Sequence, residues 1–386
     1  MTKGVVFLFK FTLNDRVQVE DFVRGVTFFG TGGGGSYQRG IDLLMDQLAK
    51  GHTVGWVEPD QLADDAYSCC PFLMGSLAGP DEATKRDMKA TYDLDAPHVD
   101  ETERMVRAVR GLEEKMGKKV SALIPIELGG ANAAACISAA AELGIYILDG
   151  DYTGRAIPEI QQTTPFIHEQ NLTPVVACDG WGDIATIESA VNWRMVERIG
   201  KQLAVAGFSY SAQAGFFANG ADTKKALIHG TMSDCYAVGK ALREAVEAGL
   251  DPADTIAEKV GGWVICKGTV TGKHVEDKDD YYWATHEITG KGMYAGTDLK
   301  IWLKNENHMC WKNGEVFVTS PDMIQIIDSK TGQPYTNNVI EVGMEVSVIA
   351  MKARDIFRTP RGLLALSPRA FNFDMDYVPV EARIGE

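Results

Sequence analysis

Four side chains that carry a charge at neutral pH lie in one eleven-residue stretch, DGDYTGRAIPE, between residues 149 and 159. They are Asp149, Asp151, Arg155 and Glu159. Carboxylates that share a cleft raise one pKa and a nearby arginine lowers another, so one acid and one base can coexist near neutral pH. Arg155 could also clamp a substrate carboxylate with two hydrogen bonds. The stretch is therefore a candidate for general acid–base catalysis, and the alternative is a solvated loop.

A run of glycines, GTGGGGS (residues 30–36), indicates a second part of the same site. Glycine permits positive φ and lets successive backbone N–H groups converge on an anion or a polarised carbonyl oxygen. A helix that follows adds the positive end of its dipole. The predicted binding residues here are Gly32, Gly33, Gly34, Gly35 and Ser36, the last also as a helix cap.

The third loop, ELGGAN (residues 127–132), adds a carboxylate and an amide. Glu127 ends an apolar run, and we expect it to act with the acids of the first stretch. Asn132 either caps the next helix or points its amide at a ligand. We expect Gly129, Gly130 and Asn132 to contact the substrate.

Two cofactor alternatives arise from these loops. The spacing Gly30-x-Gly32-x-x-Gly35 matches a dinucleotide fingerprint, with Glu58 as a ribose ligand at the end of the next strand. It would indicate an NAD(P)- or flavin-dependent oxidoreductase, although so glycine-rich a run produces the spacing easily. A divalent metal could instead be held by Asp149, Asp151 and Glu127. The sequence has no CxxC, HxxxH or HExxH pattern, so we expect no zinc site.

Other polar residues are weaker candidates. Residues that could join the rim of the site are Asp179, Asp183, His229, His286 and the NENH stretch at 305–308. Three cysteines in apolar segments are expected to be core thiols, namely Cys69, Cys70 and Cys178.

The elements that must position these loops alternate between apolar strands and amphipathic helices. GVTFF (25–29) predicts a buried strand, and with a helix from residue 37 and a strand at 52–58 it predicts a βαβ unit. Further strands are predicted at 120–127, 144–149 and 173–179, and helices at 81–92, 100–117, 132–144, 187–203 and 234–249. Because ligands bind beyond the carboxyl ends of parallel strands, we expect the three loops to border one cavity.

The pattern changes near residue 258, after which β-branched and period-two stretches dominate. The predicted fold class is α/β, a mostly parallel sheet with helices on both faces, plus a second, β-rich C-terminal domain. We place the α/β domain with the glycine-rich loops at residues 1–258 and the β-rich domain at residues 259–386. Roughly the last 25 residues could pack back on the first domain.

Charge and composition narrow the classes of function. The chain has 386 residues and a net charge of −15, from 38 basic and 53 acidic residues. Its basic residues are scattered, so no nucleic acid and no anionic membrane surface is expected as a partner. The first apolar run is short and broken by Lys10, which predicts no signal peptide, and no run approaches a membrane span. Seven cysteines in so long a chain predict reduced thiols and a cytoplasmic protein.

Several segments resemble one family in order along the chain. They are GTGGGG, PFLMGS (71–76), ELGGAN, DGDYTGRAIPE, TSPDMIQIID with TGQPY (319–335), and SPRAFNFDMDY (367–377). Together they resemble the S-methyl thiohydantoin desulfurase-like family, whose members are associated with hydantoinase/oxoprolinase A proteins. The resemblance runs from about residue 20 to the C-terminus. Ser36 and Leu77–Ala78 stand where the family usually has an acidic residue and a proline, which puts the substrate in question more than the fold.

The resemblance implies an α/β domain plus a β-rich domain, and hydrolysis of five-membered cyclic ureides, such as sulfur removal from a thiohydantoin. The family's motifs map onto Gly32–Gly35, Glu127–Asn132 and Asp149–Glu159. We therefore predict a hydrolase of small cyclic amides or thioamides, in which water attacks the ring carbon bearing sulfur or oxygen.

The expected roles follow from residue type. The base is Asp149 or Asp151, and Glu127 or Glu159 is the acid or holds the ring N–H groups. Arg155 and the glycine amides stabilise developing negative charge. The chemistry needs no cofactor, and the expected partner is a small-molecule substrate, with a homo-oligomer and a hydantoinase-type partner protein as additions. The alternatives are the oxidoreductase, the metal-dependent hydrolase and a non-catalytic subunit of a hydantoinase-type complex.

Overall fold

The computed structural model describes residues 8–75, 81–208, 210–278 and 281–384. Ser76 of the PFLMGS motif and Leu77–Ala78 lie outside these residues. In chain order the first part contains β1 (Phe9–Leu13), α1 (Arg16–Phe29), α2 (Tyr37–Ala49), β2 (Val54–Val57), β3 (Tyr67–Gly75), α3 (Glu82–Thr91), α4 (Glu101–Met116), β4 (Ala122–Leu123), α5 (Gly130–Leu143), β5 (Tyr146–Leu148), β6 (Gly150–Asp151), α6 (Thr164–Ile167), β7 (Val175–Cys178), β8 (Ile184–Ile187), α7 (Trp193–Ala206), β9 (Tyr210–Asn219), α8 (Gly220–Ala226), β10 (Ile228–His229), α9 (Thr231–Glu247) and α10 (Pro252–Val260).

Eight of these strands form one mixed sheet in the order β1-β2-β5-β4-β3-β9-β7-β8. The pairings β2–β5, β5–β4 and β4–β3 are parallel. β1 at one edge and β9, β7 and β8 at the other pair antiparallel. The prediction of a mostly parallel sheet is therefore right only for its centre.

Both faces of this sheet are covered. Neighbouring residues of one strand point to opposite faces, so Cys69 joins one apolar core and Cys70 the other. The larger core packs the sheet against α1, α2, α4, α5 and α9, and the smaller core includes Val196 of α7 and Ala226 of α8. Helices on both faces were expected from the alternating pattern.

The strand predicted at residues 25–29 is wrong, because these residues end helix α1. Val19, Phe22, Val23 and Val26 are all buried, which is the spacing of a helix face. Gly25 lets α1 approach α9, since a Cβ there would lie 1.7 Å from the carbonyl oxygen of Cys235. The glycine loop consequently connects two helices, and the predicted βαβ unit does not form.

Most other predicted elements are confirmed with changed ends. The helices at 81–92, 100–117, 132–144 and 234–249 correspond to α3, α4, α5 and α9. The strand at 120–127 shrinks to β4, which is followed by an irregular segment. The helix predicted at 187–203 begins only at α7, because the preceding residues pair with β7 as strand β8.

The rest of the chain is largely antiparallel. Its elements are β11 (Trp263–Lys278), β12 (Tyr281–Gly290), β13 (Asp298–Lys304), β14 (Glu306–Lys312), β15 (Glu315–Thr319), β16 (Met323–Asp328), β17 (Glu345–Met351), α11 (Pro360–Ala365) and α12 (Val380–Ile384). The seven strands form one sheet in the order β15-β14-β13-β12-β11-β17-β16. The sheet curls so that β14, next to one edge, approaches β16 at the other edge. There the Asn307 side-chain amide of β14 donates to the carbonyl oxygen of Ile324 in β16 at 3.0 Å.

The C-terminal segment packs mainly on this β domain. Phe371 lies 4.0 Å from the His308 ring, between ring centroids, and the Tyr377 hydroxyl donates to the buried carboxylate of Asp322 at 2.9 Å. Phe371 also shares a small apolar cluster with Ile167 of the first part. Within the described ranges, no helix combines the length and the apolar character that crossing a bilayer requires.

Candidate functional site

A cavity of about 490 Å³ lies where the α/β part meets the tip of the β13–β14 hairpin. Its walls come from the glycine loop, β3, the start of α5, the segment at 157–160, and α7. The β domain contributes Asn305 and Glu306 at the hairpin tip, together with Thr336, Asn338 and Val339. The volume falls in the range of about 300–1,000 Å³ that small-molecule sites occupy.

The four glycines lie against the protein itself. A Cβ on Gly34 would lie 2.3 Å from Cα of Gly129, and a Cβ on Gly33 would lie 1.8 Å from Oε1 of Glu306. Gly34 and Gly35 also have positive φ, at 75° and 87°. Side chains are therefore excluded from this loop by the ELGGAN loop and by Glu306, before any ligand is considered.

The glycine loop and the ELGGAN loop are joined through their backbones. The carbonyl oxygen of Gly34 accepts hydrogen bonds from the amides of Ala131 and Asn132, at 3.1 Å each. In contrast, the amides of Gly34, Gly35 and Ser36 donate to no acceptor in the described part of the chain, and all three residues line the cavity. Ser36 caps α2 as predicted. Backbone donors at the start of α2 are thus available to a ligand.

Glu127 lies on the cavity wall with its carboxylate almost completely buried. One oxygen accepts from the side-chain amide of Asn132 at 2.8 Å, and the other accepts from the backbone amide of Ile157 at 2.9 Å. Burial raises the pKa of Glu127 to about 7, although these hydrogen bonds act in the opposite direction. A carboxyl group with this pKa can take or give a proton near neutral pH.

Glu306 lines the same cavity from the β domain. It follows Asn305, whose φ of 58° turns the chain at the hairpin tip. Glu306 is 2% exposed, and its Oε2 has no hydrogen-bond partner among the described residues. Burial raises its pKa well above the ordinary value, and the charge of Glu127 raises that pKa further. The two carboxyls therefore form an acid–base pair in which Glu306 stays protonated when Glu127 ionises.

Two lysines balance the other acids around the cavity. Lys304 pairs with Glu159. Glu197 accepts a hydrogen bond from the Tyr281 hydroxyl at 3.0 Å. Burial raises the pKa of Glu197, and the positive charge of Lys201 opposes part of that rise. Within the described ranges, Glu127 and Glu306 form no direct ion pair of this kind. The charges of Arg155 and Lys201 oppose, but do not overcome, the rise that burial causes in the pKa of Glu306.

The mouth of the cavity carries further paired charges. Arg39 Nε lies 2.5 Å from a carboxylate oxygen of Glu101, whose other oxygen accepts from the hydroxyl of Tyr210. Lys85 pairs with Glu82 at 2.9 Å. These contacts leave the rim polar, with each cation next to an acid.

The structure brings together part of the predicted site. The predicted residues that line the cavity are Gly34, Gly35, Ser36, Glu127, Asn132 and Glu159. Those that do not line it are Gly32, Gly33, Gly129, Gly130, Asp149, Asp151 and Arg155. The four glycines of the second group lie where the two loops pack closely against each other and against the β domain.

Asp149 and Asp151 are fully buried and bonded to their own surroundings. The Asp149 carboxylate accepts from the amide and the hydroxyl of Ser233, at 3.0 and 2.6 Å, and pairs with Lys10 at 2.8 Å. Oδ2 of Asp151 accepts from the amides of Thr153 and Gly154, at 2.9 and 2.8 Å. Asp149 therefore fixes the start of α9, and Asp151 fixes the turn at residues 151–154.

Arg155 holds the two parts of the chain together. Its guanidinium is 2% exposed and donates to the carbonyl oxygens of Pro321 and Asn307 and to the hydroxyl of Thr31, each at 3.1 Å. Burial lowers its pKa to about 10, so it remains charged at neutral pH. Asn307 follows Glu306 by one residue, so this contact fixes the backbone next to the hairpin tip.

The cofactor alternatives find little support in this geometry. A dinucleotide fingerprint needs a strand before its glycines, whereas α1 precedes them here. Glu58, the proposed ribose ligand, pairs with Lys10 at 2.9 Å. Among the described residues, no group of three or more His, Cys, Asp or Glu side chains is arranged to hold a metal ion.

The weaker candidates lie outside the cavity lining, apart from part of NENH. Asp179 accepts from three following amides and shapes its own turn. His229 is exposed, and His286 and His308 are buried in the β domain with pKa values that burial lowers. All seven cysteines are free and buried, as expected for the three that the sequence singled out.

The sequence reasoning missed several charged residues at or beside the cavity, namely Arg39, Lys85, Glu101, Glu197, Lys201 and Lys304. Glu197 and Lys201 are four residues apart on α7, a spacing that places both on one helix face. Lys304 and Glu306 flank a single asparagine at a hairpin tip. Two sequence signals could have found these two pairs of residues. One is the pair of ionisable residues on the amphipathic helix α7, and the other is the pair of ionisable residues inside the β-rich segment.

The comparisons with known proteins fit this architecture. Residues 17–189 match the family model described as S-Me-THD-like, N-terminal domain, and residues 191–380 match the S-Me-THD-like, C-terminal domain. A crystal structure of a protein from Chromobacterium violaceum is similar with a TM-score of 0.73 at 20% identity, covering 96% of this chain and 100% of that chain. This likeness shows the fold alone. No curated protein matches the chain.

Proposed function

The chain belongs to the S-Me-THD-like family, and from that premise we propose that it is a hydrolase of small five-membered cyclic amides or thioamides of the thiohydantoin or hydantoin type. The observation that carries the proposal is the pair of buried carboxyls, Glu127 and Glu306, on the wall of one cavity. Burial raises both pKa values, so that near neutral pH one group can act as a base and the other as an acid.

The proposed reaction with an S-methyl thiohydantoin proceeds by addition of water. Ionised Glu127 takes a proton from a water molecule, whose oxygen attacks the ring carbon that carries sulfur. Negative charge developing on the ring is met by the amides of Gly34 and Gly35, in the manner of an oxyanion hole. Glu127 passes the first water proton to the ring nitrogen. As the carbon–sulfur bond breaks, Glu306 gives its proton to the departing sulfur and takes up the proton that the attacking oxygen loses on becoming the carbonyl oxygen. The products are a hydantoin and methanethiol, and both carboxyls return to their starting protonation states.

In this proposal the base, first predicted to be Asp149 or Asp151, is Glu127. The acid, first predicted to be Glu127 or Glu159, is Glu306, and Arg155 positions the hairpin tip instead of binding the substrate. The hydrogen bonds of Asp149, Asp151 and Arg155 support this change. Asp149 accepts from Ser233, Asp151 accepts from Thr153 and Gly154, and Arg155 donates to backbone carbonyl oxygens, so none of the three side chains is directed at the cavity. Glu159 remains at the cavity as the partner of Lys304.

We place the reaction in the cytoplasm and assign it no cofactor. The free, buried state of all seven cysteines supports a reducing compartment. A homo-oligomer and a hydantoinase-type partner protein remain predictions from the family resemblance.

The test is the loss of ultraviolet absorbance from a panel of thiohydantoins and S-methyl thiohydantoins, with purified protein and no added cofactor. Glu127→Gln and Glu306→Gln should each lower kcat at least about 100-fold. Glu315→Gln, the same change at an exposed position of β15, should leave kcat unchanged. Full turnover in either Gln variant would overturn the assignment of the pair. No turnover of any panel member by the wild-type protein would overturn the hydrolase, and turnover that appears only with a hydantoinase-type protein would make the chain its subunit.

A further inference from the structure

We propose that Asn337 is a positioning residue for the proposed acid, Glu306, and that it holds this acid against the glycine loop through the backbone of the hairpin tip. This inference rests on the proposed function, because it concerns the residue that gives its proton to the departing sulfur. Three observations carry it: the hydrogen bonds of Asn337, the close contacts of the glycine loop, and the turn at the hairpin tip.

Asn337 lies between the glycine loop and the hairpin tip. Its backbone amide donates to the carbonyl oxygen of Gly32 at 2.8 Å, and its side-chain amide donates to the carbonyl oxygen of Asn305 at 2.8 Å. Gly32 and Asn305 immediately precede Gly33 and Glu306 in the chain. Asn337 is 0% exposed, so both hydrogen bonds are shielded from water. The residue therefore joins the two backbones that bring Gly33 and Glu306 together.

Two consecutive glycines of the loop each accept a side chain of the β domain. A Cβ on Gly32 would lie 2.2 Å from Nδ2 of Asn337, and Gly32 has a φ of 92°. A Cβ on Gly33 would lie 1.8 Å from Oε1 of Glu306. Asn337 and Glu306 thus occupy neighbouring places on the glycine loop, and the position of one affects the other.

The hairpin tip is supported on both sides of Glu306. Asn305 has a φ of 58°, which is uncommon for residues other than glycine, and the turn there is held by the donor of Asn337. After Glu306, the amide of Asn307 donates to the carbonyl oxygen of Thr31 at 2.8 Å. Without the contact at Asn305, one side of the tip is released and the Glu306 carboxyl can move away from the glycine loop.

The charged groups that face Glu306 come from three other elements. Burial raises the pKa of Glu306, and the charge of Glu127 in the ELGGAN loop raises it further. The charges of Arg155 and of Lys201 on α7 act in the opposite direction. A substitution at Asn337 leaves these three charges in place. Moving Glu306 out of its buried position should therefore lower its pKa toward the ordinary value of a glutamic acid.

The test is Asn337→Ala, which removes the side-chain donor and keeps the backbone hydrogen bond to Gly32. With an S-methyl thiohydantoin as substrate, kcat should fall at least about tenfold, and KM should change less than kcat. The descending limb of kcat/KM at high pH should move to lower pH, because a displaced Glu306 loses its proton more easily.

Val348→Ala is the control for a purely structural effect. Val348 is fully buried in the apolar core of the β domain, so its truncation should lower the free energy of unfolding. It does not touch the hairpin tip through any hydrogen bond of its side chain, and the descending limb of kcat/KM should stay where it is in the wild type.

Urea unfolding at pH 6 and pH 9 tests the same contact without turnover. The raised pKa of Glu306 stabilises the folded protein at low pH, and this contribution is lost as the pH rises through that pKa. Asn337→Ala lowers the pKa and so has less to lose. Its free energy of unfolding minus that of the wild type should therefore rise between pH 6 and pH 9.

The matched background for this measurement is Glu306→Gln, which does not titrate. There, Asn337→Ala should change the free energy of unfolding equally at both pH values. The His286 ring lies beside Asn337, but burial lowers its pKa to about 4, so it is neutral throughout this pH range.

The outcomes separate this inference from the proposed function. A descending limb that does not move, the same movement in Val348→Ala, or a difference in unfolding free energy that does not rise with pH would overturn the positioning role while leaving the hydrolase intact. Absence of turnover by the wild-type protein would overturn the hydrolase, and the unfolding comparison would still decide whether Asn337 holds Glu306.

Discussion

Replacing Asp151 by asparagine distinguishes a structural carboxylate from a catalytic one. Asp151 is 0% exposed, and its Oδ2 accepts from the amide and hydroxyl of Thr153 at 2.9 Å each and from the amide of Gly154 at 2.8 Å. An asparagine oxygen at the same place can accept all three. The side-chain NH₂ group would then replace Oδ1, which is buried without a hydrogen-bond partner among the described residues. Any cost of burying that NH₂ group is the same at every pH, because asparagine does not titrate.

The magnitude follows from the pKa of Asp151, which burial raises from 3.8 to about 6. The folded protein holds this proton more tightly than the unfolded chain does. The resulting contribution to the free energy of unfolding is present in full below pH 3.8 and is lost as the pH rises through about 6. At about 1.36 kcal/mol per pKa unit, the total loss is about 3 kcal/mol, of which about 2 kcal/mol falls between pH 4.5 and 7.5. Asparagine does not titrate and escapes this loss.

The assay is urea unfolding of Asp151→Asn and wild type at pH 4.5 and pH 7.5, with thiohydantoin turnover measured alongside. The free energy of unfolding of the variant minus that of the wild type should rise by about 2 kcal/mol between the two pH values. Turnover should stay within about threefold, because Asp151 does not line the cavity. The reasoning would be refuted by a difference that stays constant or falls with pH, and loss of turnover in a folded variant would restore Asp151 as the base.

Three further predictions concern the cavity. Gly33→Ala should lower kcat about 100-fold, because the new Cβ would lie 1.8 Å from Oε1 of Glu306 and displace that carboxyl; unchanged kcat would contradict the contact. In a pH–rate profile, kcat/KM should rise as Glu127 ionises around pH 7 and fall at higher pH as Glu306 loses its proton, and a rate that falls through pH 7 would reverse their roles. Arg155→Met should lower the free energy of unfolding, measured in urea, by at least about 3 kcal/mol, because the carbonyl oxygens of Asn307 and Pro321 lose this donor. Arg155→Lys should have an intermediate effect. A loss below about 1 kcal/mol for Arg155→Met would show that these contacts do not hold the two parts of the chain together.

Local sequence signals predicted the α/β side of the site well. Ser36 was expected to cap a helix and does so. Asn132 was expected to cap the next helix or to point its amide at a ligand; α5 has no side-chain cap, and the Asn132 side chain lines the cavity and donates to Glu127 at 2.8 Å. Both depend on residues close in sequence, where turn and cap chemistry decide the geometry.

Features that depend on distant pairing were not predictable in the same way. β3 and β9 pair antiparallel although Tyr67 and Asn219 are far apart in sequence, so neither strand signals the direction of its partner. Residues 25–29 are apolar and β-branched, yet they continue a helix whose Gly25 must meet α9. Tertiary packing decided the outcome in both cases, against local propensity.

The same distinction explains why Glu306 was only a weak candidate. In sequence it is one acid in a β-rich segment, and its chemistry arises from burial against Gly33 and from the charge of Glu127. Those conditions exist only when the hairpin tip of the β domain is inserted against the glycine loop. The two carboxyls of the proposed acid–base pair thus come from different parts of the chain, and their pKa values depend on the docking that Arg155 secures at Asn307. A substitution at that contact should therefore alter the chemistry through Glu306 even though Arg155 itself does not line the cavity.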